Sequence, residues 1–232
     1  MAEPYFVFKG IDSRAMGVRV ISYPPIVRAN MRTTAIAIPG RAGELTQTEG
    51  DDIYEPYTRA MGVANAPGAQ LQPVMDWLRG SGTMILGNET DFVYDVRVDA
   101  QLQMDKHFRD CWSGSLQLRC KPFKRTAQSA ADLSITSSGT DILNPGDVAA
   151  RPQITLTGSG AATITIGGKT LTFTNLITGT VIDLENQWII VSGTPVCGAV
   201  SGEFGSIPTG HSEILFTGGI TAVTVPQDWL YV

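Results

Sequence analysis

QITLTGSGAATITIGGKTLTFT, residues 153–174, decides how the chain is read. Ile164 and Ile166 alternate with Thr163 and Thr165, and Leu171 and Phe173 alternate with Thr170, Thr172 and Thr174. A period of two puts the apolar side chains on one face of a strand. The Gly167-Gly168 pair between these runs suits a two-residue hairpin, because both residues take positive φ freely. Gly158-Ser159-Gly160 is expected to be a further turn, separating strands at 153–157 and 162–166. Residues 180–184 and 188–191 continue the pattern, divided by Glu185-Asn186-Gln187, and residues 213–216 and 222–225 close it around Gly218-Gly219. Short strands punctuated this often predict an antiparallel sandwich rather than a βαβ fold.

The stretch upstream of this region has a different composition. Of 232 residues, those at 1–125 hold 15 of the 17 Lys and Arg and 14 of the 22 Asp and Glu, a balance of +1. Residues 126–232 carry −6, and all seven Met lie in the first half. The change falls at a polar stretch (Thr126, Gln128, Ser129), which predicts two domains, 1–125 and 126–232. The first is expected to be α+β. Strands are predicted at 5–8, 18–21, 32–38, 62–65, 84–86, 92–99 and 115–120. One segment, 70–79, sets Leu71, Val74, Met75 and Leu78 on a helical face flanked by Trp77, with Pro73 in the first turn and Gly80 as the stop. Trp77 and Leu78 are expected in the core. The fold class is therefore mostly β, with one short helix on the first domain's sheet.

Composition also narrows the function. A net charge of −5 with interleaved acids and bases argues against a protein that binds nucleic acid on its own. Cys111, Cys120 and Cys197 have the spacing of neither a disulfide framework nor a zinc site. No run of 18 apolar residues exists to span a membrane, and no signal-peptide pattern opens the chain, so synthesis in the cytoplasm is expected.

Catalytic arrangements are scarce. The two histidines, His107 and His211, read as exposed loop residues, the first within a charged stretch at 105–109. Asp51, Asp52 and Glu55 lack the alternating ligand spacing of a calcium loop and read as a solvated acidic turn. Asp91, Asp95 and Asp99 share one side of a predicted strand, as a solvent- or partner-facing stripe. Asp183 and Glu185 would serve as a glycosidase pair only with a sugar cleft around them. No phosphate-binding loop of the GxxxxGK[ST] type is present, and Cys111 and Cys120 read as buried small hydrophobes. The expectation is a protein that is not an enzyme and takes no cofactor or metal.

The first half also carries an ordered set of signals: Phe8-Lys9-Gly10-Ile11-Asp12-Ser13, Met16-Gly17-Val18, Ile38-Pro39-Gly40-Arg41-Ala42-Gly43, Trp77-Leu78-Arg79-Gly80, Tyr94-Asp95-Val96-Arg97-Val98, and Cys120-Lys121-Pro122-Phe123-Lys124-Arg125. In this order they resemble the distal tail proteins (Dit) of long-tailed, siphovirus-type phages. The second half, from Asn144-Pro145-Gly146 and Arg151-Pro152 through Ile182-Asp183-Leu184-Glu185, is similar to that family's galectin-like C-terminal domain. The resemblance implies a ring-forming belt domain at 1–125 and a galectin-like sandwich at 126–232. It implies a structural virion protein, a homohexameric ring hub joining the tail tube protein to the hub or tip protein of the baseplate. Such a protein is assembled in the host bacterial cytoplasm and has no membrane partner.

A closed ring needs two different complementary faces on each subunit. The expected interface residues are Gly40, Arg41 and Gly43, where two glycines permit a sharp turn and the guanidinium can grip a carboxylate across a boundary. Lys121, Lys124 and Arg125 are further candidates, otherwise a solvated hinge. The alternative function is a carbohydrate-binding tail module contacting a host-surface saccharide through Trp229 and Tyr231, with Trp188 expected in the core.

Overall fold

The computed structural model describes residues 3–40, 42–48, 50, 53–66, 69–98, 102–108, 111–127, 130–196 and 200–232. The chain divides into two compact units, Met1–Gln128 with Val232, and Ser129–Tyr231.

The first unit contains β1 (Phe6–Phe8), β2 (Ile11–Asp12), β3 (Val18–Ser22), β4 (Thr33–Ala37), β5 (Glu44–Thr48), β6 (Tyr57–Asn65), α1 (Leu71–Trp77), β7 (Gly80–Leu86), β8 (Glu89–Val98), β9 (Gln103–Phe108) and β10 (Cys111–Thr126). Its main sheet is antiparallel, in the order β2-β1-β7-β8-β10-β6-β3, with β9 as a hairpin partner of β10. Alternate residues point inward: Phe6 and Phe8 on β1, Met61 and Val63 on β6, Tyr94, Val96 and Val98 on β8, and Leu116, Leu118 and Cys120 on β10.

Helix α1 covers that face. It is shorter than the predicted 70–79, and its buried stripe is rotated: Val74, Trp77 and Leu78 are buried, whereas Met75 is only partly so. Trp77 sets the rotation. Its indole stacks on Phe6 at 5.5 Å, meets Phe8 edge-on at 6.1 Å, and donates Nε1–H to the Phe8 carbonyl at 3.2 Å. A large amphipathic ring is buried where its polar edge finds an acceptor.

The stretch at 105–109, expected to be a loop, belongs mostly to β9. Asp105, Lys106, His107 and Phe108 are all exposed, so no apolar alternation marks it; exposed charged residues such as Asp105 and Lys106 are usual on a strand that must not recruit another chain.

The second unit contains β11 (Ala130–Ile135), β12 (Thr140–Asn144), β13 (Gln153–Ile166), β14 (Lys169–Leu176), β15 (Thr180–Asp183), β16 (Trp188–Val191), β17 (Thr194–Pro195), β18 (Val200–Gly202) and β19 (Gly210–Gln227). The Gly167-Gly168 hairpin is present, with Ile166 opposite Lys169. The other glycine groups do not reverse the chain. β13 and β19 run 14 and 18 residues and pair with each other along most of their length. Irregularities at Gly158–Ala162 bend both strands together. Beyond the bend β13 exchanges its partner β15 for β14, and β19 exchanges β11 for β12. One bent sheet thus forms both layers of a sandwich. Between them lie Ile154, Leu156, Ile182, Val223 and Val225 on one side and Ile164, Ile166, Leu171, Phe173 and Ile214 on the other, all buried.

Glycine is required at the bend because the two backbones nearly touch. A Cβ on Gly158 would stand 2.0 Å from the Gly219 carbonyl oxygen, and one on Gly219 would stand 1.7 Å from that of Ser159.

Candidate functional site

Between β3 and β6 the chain leaves the main sheet for residues 24–56 and forms an arm. At its base Met31 bridges Tyr54, the Arg32 amide donates to the Ile53 carbonyl and the Glu55 amide to that of Asn30, both at 2.8 Å. Further out β4 and β5 pair over five residues, from Thr33 opposite Thr48 to Ala37 opposite Glu44. They form a sheet of their own, exposed on both faces. Two strands with no covered face are marginal in water.

The arm concentrates apolar surface. Among the described residues of the first unit, seven of the ten large exposed hydrophobics lie on it: Ile26, Val27, Met31, Ile36, Ile38, Leu45 and Ile53. Ile26 is 78% exposed. Scattered exposed apolar residues are ordinary, but a contiguous set on an uncovered element marks an interaction surface. Gly40 and Gly43 lie between its strands with φ of +82° and +85°, the left-handed region that a sharp reversal requires. Arg41 lies outside the described residues.

Two contacts hold the arm's base. Arg59 on β6 is 2% exposed. It donates Nε–H to the Pro25 carbonyl at 2.8 Å and Nη2–H to that of Pro24 at 3.4 Å. It also pairs with Glu89 at 3.3 Å and lies over the Tyr94 ring, 5.0 Å from its centroid. Tyr94 donates its hydroxyl to Glu89 at 2.8 Å. Burial pushes the Tyr94 phenol well above its usual range, the Tyr57 phenol up to about 12, and the Cys120 thiol up to about 11. For Arg59, burial pulls its pKa down, but its hydrogen bonds and the Glu89 carboxylate outweigh this and hold the guanidinium charged. Sequence reading passed over Arg59. The available signal was its parity: it shares the inward phase of Met61 and Val63, where an Arg needs internal acceptors.

The second contact is Phe123, which meets the Tyr54 ring edge-on at 5.6 Å. It belongs to a bulge in β10: Cys120 lies opposite Val96 and Lys124 opposite Tyr94, so four residues on β10 answer two on β8. Pro122 has no N–H for the ladder, and the bulge accommodates it.

The three basic candidates of this segment separate. Lys121 and Arg125 share the Asp95 carboxylate, at 3.5 and 2.9 Å, whereas Lys124 lies over the Phe92 ring, 4.7 Å from its centroid. All three are strand residues of β10. Next to Asp95, on the sheet face away from the core, Arg97 of β8 lies directly opposite Arg119 of β10. Ser81 and Thr58 flank that pair in the same row. The groove here holds about 680 Å³ and is lined in part by Ser81, Asp95, Arg97, Arg119 and Lys121. Asp99, the last member of the predicted carboxylate stripe, lies outside the described residues.

The remaining candidates are scattered. His107 shares a 2.7 Å hydrogen bond with Ser113 on an exposed face, and His211, at the start of β19, bonds Asp141 at 2.5 Å. Asp183 accepts hydrogen bonds from Asn186 and Gln153, which outweigh burial and hold its carboxyl below the usual range. Asp51, Asp52 and Cys197 lie outside the described residues. Among the described residues no group of three His, Cys, Asp or Glu could hold a metal, and no helix is long and apolar enough to cross a membrane. Trp229 and Trp188 are placed contrary to expectation. Trp229 is 5% exposed within the sandwich core, with no open ring face for a sugar, and Tyr231 packs partly against that core. Trp188 is 55% exposed, because Ile189 takes the inward phase of β16. It borders an apolar groove of about 510 Å³ with Gln187, Pro195, Ser201 and Phe204.

No family model matches the chain, and no curated protein matches it. In three dimensions it is similar to the crystal structure of the SPP1 Dit (gp 19.1) protein, described as a paradigm of the hub adsorption apparatus in phages that infect Gram-positive bacteria. The TM-score is 0.70 at 15% sequence identity, over all of both chains. The chain has the fold of that phage tail protein across its full length.

Proposed function

We propose that the chain is a structural hub of a phage tail, whose copies close into a ring, a hexamer in the resembled family, through residues 1–125. The ring joins the tail tube to the tail tip, and the sandwich of residues 126–232 is a galectin-like appendage. The observation that carries this reading is the arm at 24–56, which bears seven large exposed hydrophobics among the described residues and whose hairpin β4–β5 is exposed on both faces. A ring contact supplies the cover that the arm lacks within one copy. Gly40 and Gly43 then lie at its tip. Likeness of fold to a hub adsorption protein supports the same assignment.

Electron microscopy of the purified chain, alone and mixed with a tail tube protein, tests it. Six-fold rings are the expected particles; single copies under both conditions contradict the proposal.

A second reading, a saccharide-binding sandwich, rests on Trp188 and its groove rather than on Trp229. Calorimetric titration with host wall polysaccharide should then give binding that Trp188→Ala abolishes, and a flat titration removes it.

A further inference from the structure

We propose that the outer sheet face of the sandwich around Trp188 binds an uncharged sugar ring, whose apolar face stacks on the indole and whose hydroxyls meet the side-chain amides of Gln153 and Asn186. This inference rests on the second reading above and names that site's ligand class and its hydrogen-bonding residues.

Three observations lead there. First, the strands set an aromatic ring and two amides around one point. Trp188 on β16 lies directly opposite Asp183 on β15, and Asp183 lies directly opposite Gln153 on β13. Residues facing each other across a ladder share one face of the sheet; Ile154, Ile182 and Ile189 take the other phase, into the core. Asn186 belongs to the turn between β15 and β16. Gln153, Asn186 and Trp188 are exposed, whereas Asp183 is buried.

Second, Asp183 fixes the two amides. Its Oδ2 accepts from Gln153 Nε2 at 2.8 Å and from Asn186 Nδ2 at 2.9 Å, and its Oδ1 accepts from the Asn186 backbone N–H at 2.8 Å. Burial raises the Asp183 pKa, but these bonds outweigh it and hold the carboxyl below its usual range, as an anion. An ionised carboxylate only accepts, so each side-chain amide turns an N–H towards it and keeps its carbonyl oxygen and second N–H out of that contact. An oriented group that both donates and accepts matches a sugar hydroxyl, which does the same, and its orientation is settled before binding.

Third, the site offers a ligand no unpaired charge. Arg151 and Glu185, which flank it in sequence, pair with each other at 3.9 Å. The Asp183 carboxylate is already met by three donors. The groove that Trp188 borders has no ionisable side chain among its described lining residues. A charged ligand buried here goes uncompensated, and an uncharged ring does not suffer that cost. Gln187 adds a third amide at the groove, with a φ of +56° that residues other than glycine seldom adopt.

The test is binding of the full-length chain to an array of oligosaccharides, neutral hexose and N-acetylhexosamine chains beside polygalacturonate and other acidic chains. Calorimetry with the best neutral ligand follows. Neutral chains should bind and acidic ones should not. Trp188→Ala should weaken binding by more than about tenfold, as loss of a central aromatic contact does. Gln153→Ala and Asn186→Ala should each weaken it about two- to tenfold, the worth of one hydrogen bond. All three side chains are exposed, so melting temperatures should stay within a few degrees of wild type. Should Asn186→Ala fail to fold, Gln153→Ala carries the test. Folded amide variants that bind as tightly as wild type, while Trp188→Ala does not, overturn the inference and leave the second reading standing, as does a preference for acidic chains. An array on which nothing binds removes both. A tail-tip protein that binds the wild type but not Trp188→Ala, with every saccharide silent, assigns the face to a protein partner instead.

Discussion

Replacing Arg59 with Met tests how the arm is anchored. Met keeps much of the volume but removes the donors to the Pro24 and Pro25 carbonyls and the charge facing Glu89. Arg59 is 2% and Glu89 13% exposed by side chain, so the remaining carboxylate is left with little water to replace its partner. Removing one member of a buried pair is destabilising by about 3–5 kcal/mol. Tyr94 still donates to Glu89, which favours the lower end, about 3 kcal/mol. For a unit of this size that corresponds to a fall in Tm of roughly 10 °C. Scanning calorimetry of the full chain, with urea melts as a second probe, measures it. Adding Glu89→Gln to Arg59→Met removes the stranded charge and should return about half of the loss. A loss below about 1 kcal/mol for Arg59→Met, or no recovery in the double variant, refutes the reasoning that this pair is a buried, mutually dependent anchor.

Three further outcomes follow from the same geometry. Gly219→Ala drives a Cβ into the Ser159 carbonyl and should lower stability by more than about 2 kcal/mol, whereas Gly40→Ala, at φ +82° with open space around it, should lose only about 1–2 kcal/mol; paired urea melts separate them. Trp229→Ala should destabilise by about 3–5 kcal/mol and Trp188→Ala by less than about 0.5 kcal/mol, again by urea melts. The first unit should also weaken in alkali. Cys120 and Tyr57 hold their protons more tightly folded than unfolded, so their contribution is complete below about pH 9 and is withdrawn as pH rises towards about 11 and 12; for Cys120 alone it amounts to about 2–3 kcal/mol. Stability measured from pH 8 to 11 should fall, and a flat profile contradicts the assigned burial.

Period-two runs and the Gly167-Gly168 pair were legible in the sequence because hairpin chemistry is local: alternation sets the face, and paired glycines set the turn. Gly158-Ser159-Gly160 and Gly218-Gly219 were misread because the same residues serve a turn or a bend, and only contact between two distant strands tells them apart. The helix was legible in place but not in phase, since Trp77 rather than the aliphatic spacing selects the buried stripe. The arm was half legible. A strand near 32–38 was expected, but whether its apolar residues are covered depends on what packs above it, which no local pattern encodes. Arg59 and the Arg97–Arg119 pair were missed for a related reason. Both acquire meaning from partners dozens of positions away, at Pro24, Glu89 and across the β8–β10 ladder.

The most direct measurement is the sedimentation mass of the full chain beside that of an Ile36→Ser, Ile38→Ser, Leu45→Gln variant, both above and below the concentration of half-assembly. The wild type should form a closed multimer about six times its 24.8 kDa chain mass, and the variant should stay at that mass with an unchanged melting temperature. A wild type that remains single beside its tail partners, or a variant that assembles just as well, contradicts the claim that the arm exists to be buried against another copy.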